Sequence, residues 1–540
     1  MLFNSYIFIF GFLPAALAGF YLLGHQRRDW AILWLIAASL LFYAWWRPLN
    51  VLLIAPSIMI NYALSRVLQR TTDSRPALAK VVLLAGIVFN LCFLGYFKYL
   101  NFFASTLNDV FGSGFILTQL ILPLGISFIT FQKIAFLIDV QAGRVTAFSF
   151  RDYTLFVLFF PQLVAGPIVH YREMMPQFHA ASCRFQSEDV SVAISLFFFG
   201  LFKKLVLADP LSRVVAPLYT QAASGAPVTM VDAWIAALGF TLQIYFDFSG
   251  YTDMALGLAR FFGIKLPMNF NSPLKATSII DFWLRWHVSL TRFLTAYLYN
   301  PLTLALTRRR LARGKPSFGG RNTTLSAFLT LLMFPTVLTM FISGLWHGAG
   351  YQYLLWGLLH GLLLSINHAW RLLRPRFWPN AKSYARIMPP IGFVLTFLSV
   401  VFAMVMFRAP TARAAADLWA GMLGSHGVTL PAAVFSRLGP VANWLAAIGV
   451  QPAWSSGSAL LNATLRIAVL LAITLAMPNT LQILARYEPA IGVKPPKVEP
   501  AWARLLGWRP SAPWAVGLAV IAACGILSLG ELSEFLYWQF

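Results

Sequence analysis

Apolar residues in this chain come in long unbroken runs. Tyr6–Leu23, Ala31–Trp46, Val81–Phe97, Leu325–Leu345, Tyr353–Ile366, Ile391–Phe407, Leu460–Met477 and Pro513–Leu529 each approach or reach the ~20 residues that cross a bilayer as a helix. Shorter or more polar runs lie at Asn50–Leu64, Ile116–Val140, Tyr153–Val169 and Trp234–Phe248. The pattern predicts an all-α polytopic membrane protein with roughly 10 to 13 spans, some re-entrant where Pro or charge interrupts a run. Strict alternation is absent, which excludes a transmembrane β-barrel. Met1-Leu2-Phe3-Asn4-Ser5 lacks the basic start of a cleaved signal peptide, so the first run is expected to remain as a span.

Composition agrees. Of 540 residues 59% are hydrophobic and only 11% charged, against about a quarter charged in a soluble domain. The formal net charge of +23 sits in short loops between apolar runs, which fits the positive-inside rule better than nucleic-acid binding. His25–Arg28, Arg66–Lys80, Arg308–Lys315 with Arg321, Arg371–Arg386 and Arg486–Arg509 are therefore expected on the cytoplasmic side, where they also attract anionic membrane lipid. The C-terminal tail carries Glu531 and Glu534 without Lys or Arg and is expected outside. A stretch at about 409–458 is expected to form an extracytoplasmic loop. Cys92, Cys183 and Cys524 are odd in number and scattered, suggesting neither a disulfide framework nor a zinc site.

Candidate chemistry concentrates between Phe160 and Gly361, where polar groups sit inside apolar segments at a cost. His347, in Ser343-Gly344-Leu345-Trp346-His347-Gly348-Ala349-Gly350, follows one span and precedes another. With basic loops on both flanks, the hairpin turn points away from the cytosol. An imidazole there can act as general base towards a hydroxyl or attack a thioester itself. The flanking glycines leave room for a broken helix and the approach of another molecule. His287, in Arg285-Trp286-His287-Val288-Ser289, fits either an interfacial anchor or a catalytic role, and His360 and His368 read as structural. Asp247 and Asp253 flank Phe248-Ser249-Gly250-Tyr251-Thr252 and are expected to pair with Lys203 or Lys204, or to orient a histidine or Arg285. Metal-ligand spacings, P-loops and Gly-x-Ser-x-Gly elbows do not occur, so neither a metal nor a bound cofactor is expected.

Seven stretches carry a family resemblance: Leu122–Phe128, Phe160–Ile168, Phe246–Ala255, Asn269–Pro273, Arg285–Leu290, Gly344–Ala349 and Pro478–Thr480. In this order the chain resembles the bacterial branch of the membrane-bound O-acyltransferase (MBOAT) family, of the alginate O-acetyltransferase-like type. The resemblance implies one domain over residues 1–540 with a catalytic core at about 120–370, formed by tilted and interfacial helices around a tunnel. It implies His347 as the catalytic histidine and His287 as a second essential one, with Trp346, Arg285, Asp247 and Asp253 as supporting residues. The implied donor is an acyl-coenzyme A, acetyl-coenzyme A above all, or an acyl carrier. The implied acceptor is an extracytoplasmic polysaccharide such as alginate, reached through esterase-like partner proteins outside the bacterial inner membrane. The chain departs from the family pattern at Leu284, Leu274 and His170. Its end, Glu534–Phe540, resembles the aromatic tails of acyltransferases that feed cell-envelope polymers. This implies an acyl relay through Tyr537, where the residues alone fit an aromatic belt equally. The alternatives are D-alanyl or other acyl transfer to cellulose, peptidoglycan or teichoic acid and, from another class, a membrane transporter.

Overall fold

In the computed structural model the chain is helical. Among the described residues the only strands are Val428–Leu430 and Val450–Pro452, paired in parallel with Val428 opposite Val450. The structure describes all residues except 117–119, 121, 165, 181–182, 320–322, 431, 453–456, 499, 531–535 and 537–540.

Seven described helices are long and apolar enough to cross a membrane: Ile7–Gln26, Leu49–Thr71, Pro76–Phe111, Ser187–Ala223, Leu325–His347, Ala381–Arg408 and Ala512–Gly530. The other apolar runs form shorter or more polar elements. Ala31–Trp46 becomes the 17-residue helix Arg28–Ala44. Tyr153–Val169 breaks after Leu158, and Trp234–Phe248 lies in a 31-residue helix that also carries Asp232, Asp247 and Asp253.

Contacts divide the chain into two compact units, each assembled from three segments. The first holds Met1–Phe202, Gly250–Asn269 and Thr480–Leu532. It explains two of the motifs. Gly125 has φ +65° at the start of helix Ile126–Gln141, and a Cβ there would run into the Leu163 carbonyl oxygen. The Leu-Pro-Leu-Gly turn therefore needs its glycine to lie against Phe160-Pro161-Gln162-Leu163.

The second unit holds Lys203–Ser249, Phe270–Asn479 and Ser533–Phe540. Six of its helices matter below: α1 (Met230–Arg260, whose residues to Ser249 belong here), α2 (Ile279–Trp283), α3 (Val288–Leu294), α4 (Phe334–His347), α5 (Tyr351–Phe377) and α6 (Ala381–Arg408). Three of the starts have a local cause. The Ser278 hydroxyl accepts the Asp281 N–H at 3.1 Å and opens α2, and the Asn380 side chain accepts the Ser383 N–H at 3.0 Å and opens α6. Pro335 stands at the start of α4, directly after a π-helical segment, Leu329–Met333. The wide turn fits a proline that has no N–H to give the ladder.

α4 and α5 form a hairpin locked by small residues. A Cβ on Gly344 would overlap the Tyr353 carbonyl oxygen, and one on Gly357 would overlap the Met340 carbonyl oxygen. Such close backbone approach through glycines is a common way to pack helices in a bilayer. The room expected at Gly344 and Gly348 for another molecule is thus filled by Tyr353 of the chain itself.

Candidate active site

His347 is the last residue of α4. Gly348 follows in extended conformation, so the helix ends at the imidazole, which is 5% exposed. His287 sits between α2 and α3 and is wholly buried. Its backbone is left-handed, with φ +44° and ψ 52°. Residues outside glycine held in sparsely populated regions cost of order 1–3 kcal/mol and cluster at functional sites. Here that conformation turns the chain sharply from α2 into α3 with the imidazole at the corner.

These two histidines, 60 positions apart, meet. Their ring centroids are 6.3 Å apart. Phe248 of α1 meets the His287 ring edge-on at 4.9 Å, and Trp346 lies 6.0 Å from it. Trp356 of α5 and Phe407 of α6 stand edge-on to His347 at 5.2 and 5.3 Å. Between them is a void of about 10 Å³, bounded also by Ile244, Trp286 and Met404. That volume is close to the ~10–15 Å³ needed for a single water. Any acyl group must displace aromatic side chains to enter.

His287 lies outside the seven membrane-length helices, and its burial pushes its pKa below the ordinary histidine value. It is therefore suited to orient or hydrogen-bond as a neutral ring. His360, read from sequence as structural, is drawn into the same wall. Its Nδ1 accepts the Trp283 indole N–H at 3.3 Å, and its ring lies 4.8 Å from Trp356, which separates it from His347.

The supporting residues fall into three groups. Trp346 is 4.9 Å from the His347 ring and 6.0 Å from that of His287, though it does not line the void. Asp247 accepts a bond from the Lys204 ammonium at 2.6 Å, both buried, with the partly exposed Asp209 at 3.3 Å on the same ammonium. The Arg285 side chain instead donates to Asp281 at 2.8 Å, partly exposed, while its carbonyl accepts the Asn271 N–H at 2.9 Å. It does not line the void. Asp253 is buried in the first unit and does not line it either. Tyr537 lies outside the described residues. Two distant motifs do meet: the Asn479 amide donates to Ser272 Oγ at 2.9 Å and to Asn271 Oδ1 at 3.3 Å. Sequence reasoning passed over Trp356, Met404 and Phe407. Trp356 carries a signal, since it sits beside Gly357 soon after His347, but Met404 and Phe407 end a helix that reads as an ordinary span. Among the described residues no group of three or more His, Cys, Asp or Glu side chains could hold a metal ion.

Two buried imidazoles closed in by aromatic rings, in a helical chain with seven membrane-length helices among the described residues, form an arrangement whose chemistry is compatible with acyl transfer. The family model for MBOAT, the membrane-bound O-acyltransferase family, matches residues 140–315. The chain is 38% identical over 459 residues to the peptidoglycan O-acetyltransferase of Helicobacter pylori, covering 80% of this chain and 81% of that protein. It is 37% identical over 427 residues to the probable alginate O-acetylase AlgI of Pseudomonas aeruginosa, covering 78% and 75%. A more distant relative, the teichoic acid D-alanyltransferase of Streptococcus thermophilus, is 27% identical over 294 residues, covering 53% and 68%. The chain belongs to the membrane-bound O-acyltransferase family and is a multi-pass membrane O-acyltransferase.

Proposed function

We propose that the protein takes an acetyl group from acetyl-coenzyme A at the cytosolic face of a bacterial inner membrane and passes it on for O-acetylation of an extracytoplasmic polysaccharide. The observation that carries this reading is the meeting of His287 and His347 across one buried void. Supporting it are relatives named for acetylation of alginate and of peptidoglycan, each aligned over most of the chain.

His347 takes the proton of the acceptor hydroxyl as its oxygen attacks the thioester carbonyl. The C–S bond breaks, the ester C–O bond forms, and the proton passes to the departing thiolate. His287, neutral and fixed by its buried corner, orients the reacting groups, and Trp346 holds the His347 ring. The aromatic walls exclude water, which would otherwise hydrolyse the thioester.

The acceptor at the site is Tyr537, which then presents the acetyl group to an esterase-like partner outside the membrane. Support comes from its described neighbour. Leu536 is 3% exposed within the second unit, and its N–H donates to Asp247, one position before the Phe248 that touches His287.

The test is acetyl transfer by the purified protein in nanodiscs with radiolabelled acetyl-coenzyme A, wild type beside His347→Ala and Tyr537→Phe. Loss of thioester turnover in His347→Ala is expected, and turnover at the wild-type rate would sink the site assignment. Label held on wild type and missing from Tyr537→Phe is expected of the relay, and normal product formation by that variant would refute it. The likeness to D-alanyltransferases supports a second reading, D-alanyl transfer from a carrier protein. Label taken only from that donor would favour it.

A further inference from the structure

The second unit has a far larger opening than the void at His347. Between the C-terminal half of α5 and the first half of α6 lies a groove of about 930 Å³. One end is polar: Arg371 and Arg374 stand there with Trp370 and Tyr384. The Trp370 indole donates to the Tyr384 hydroxyl at 2.9 Å, and the Arg374 guanidinium lies 4.9 Å from the Tyr384 ring centroid. Among the described residues neither arginine forms an ion pair, so two positive charges converge without a carboxylate of the chain to answer them. Away from that end the lining is mostly apolar, with Leu363 and Leu395 among the side chains, though Thr277, Ser278, Thr396 and Ser399 also line it.

Three features say what fits. Ile366 and Leu395 on the rims are 65% and 56% exposed, so the groove opens sideways through apolar edges, where a bilayer would lie. From Leu363 to Arg374 α5 rises about 16 Å, and from Tyr384 to Ser399 α6 rises about 22 Å, at about 1.5 Å per residue. One leaflet contributes about 15 Å to the hydrocarbon core. The groove therefore has the length of a lipid tail with its headgroup, and Pro389 and Pro390 within α6 favour the bend that keeps it open.

We propose that this groove holds an anionic phospholipid, its phosphate on Arg371 and Arg374 and an acyl chain against Leu363 and Leu395. The site goes beyond the acyl-transfer reading and does not depend on it. The occupant comes from the membrane and is not consumed. The basic segment Arg371–Arg386 places its head at the cytoplasmic leaflet, where anionic lipid is concentrated.

The experiment is native mass spectrometry of the full chain released from nanodiscs containing equal phosphatidylglycerol and phosphatidylcholine. Wild type is expected to retain phosphatidylglycerol with about a thirtyfold preference, the scale of two basic residues acting near a membrane surface. Arg371→Gln with Arg374→Gln is expected to lose the preference, and Arg371→Lys with Arg374→Lys to keep much of it. Leu363→Trp, which leaves both arginines and fills the apolar floor, is expected to lose the bound lipid and covers the case in which the double Gln variant fails to fold. An unchanged preference in the Gln variant, or in Leu363→Trp, overturns the proposal. So does displacement of the lipid by added coenzyme A, which would assign the groove to a soluble phosphate-bearing molecule instead.

Discussion

Removing the Asp247 carboxylate should be among the most damaging single changes away from the two histidines. The Lys204 ammonium and Asp247 carboxylate are 2.6 Å apart with side chains 1% and 2% exposed, on the π-helical segment Lys203–Ala208 and on α1. Taking one partner from a buried pair costs about 3–5 kcal/mol, because the remaining charge stays out of water without its counterion. Asp209 remains 3.3 Å from the same ammonium, which puts the expected loss for Asp247→Ala at the lower end, about 3 kcal/mol. That is about a hundredfold in the unfolding equilibrium. Asp247→Asn should lose less, since the amide oxygen still accepts a bond from the ammonium. Lys204→Met with Asp247→Leu should recover most of the loss, since a buried pair is often replaced by apolar residues at little cost. The assay is unfolding in mixed micelles by SDS titration, followed by tryptophan fluorescence. If Asp247→Ala unfolds with the wild type, or the double variant unfolds no later than the single, the pair is not holding this part of the unit.

Other expected outcomes follow from the same geometry. His347→Ala should lower acyl transfer by about 10²–10⁴-fold, the usual scale of general acid–base catalysis, with little change in unfolding. His287→Asn should fold, since Asn tolerates left-handed backbone, yet transfer slowly, whereas His287→Val should fail at the fold itself. Both are read by turnover beside the SDS titration. Gly344→Ala forces a methyl onto the Tyr353 carbonyl and should destabilise by about 1–3 kcal/mol, and equal stability would refute the locked hairpin. Arg285→Gln breaks only a partly exposed pair, four residues apart, and should cost less than about 1 kcal/mol in the same titration.

Much of this was open to sequence reading because a membrane punishes polar groups so heavily. Apolar runs located six of the seven membrane-length helices but passed over Ser187–Ala223, and a histidine flanked by glycines at the end of such a run stood out as His347. The pairing of Asp247 with Lys204 was foreseeable too, since a buried carboxylate needs a cation and Lys204 was among the few in the surrounding apolar sequence. The rest depended on tertiary contacts. Nothing local announces that His287 is left-handed, or that Phe407, 60 positions after His347, faces its ring. The Arg285 side chain, expected to support the site, turns to Asp281, because an acid four residues earlier on the same helical face is nearer than anything in the void. The glycines were rightly noticed, but they admit the neighbouring helix.

A void the size of one water has a consequence for the cell. A membrane that stores an ion gradient cannot contain an enzyme with a standing hole from one face to the other. With Trp356, Phe407 and Met404 packed around His347 the void holds about one water, so on the proposed route an arriving acyl group has to part the rings. The substrate then serves as its own stopper: while the site is open it is full, and when the product leaves the aromatic plug shuts again. Group transfer across a bilayer without leakage needs no separate gate if the catalytic residues are themselves the seal.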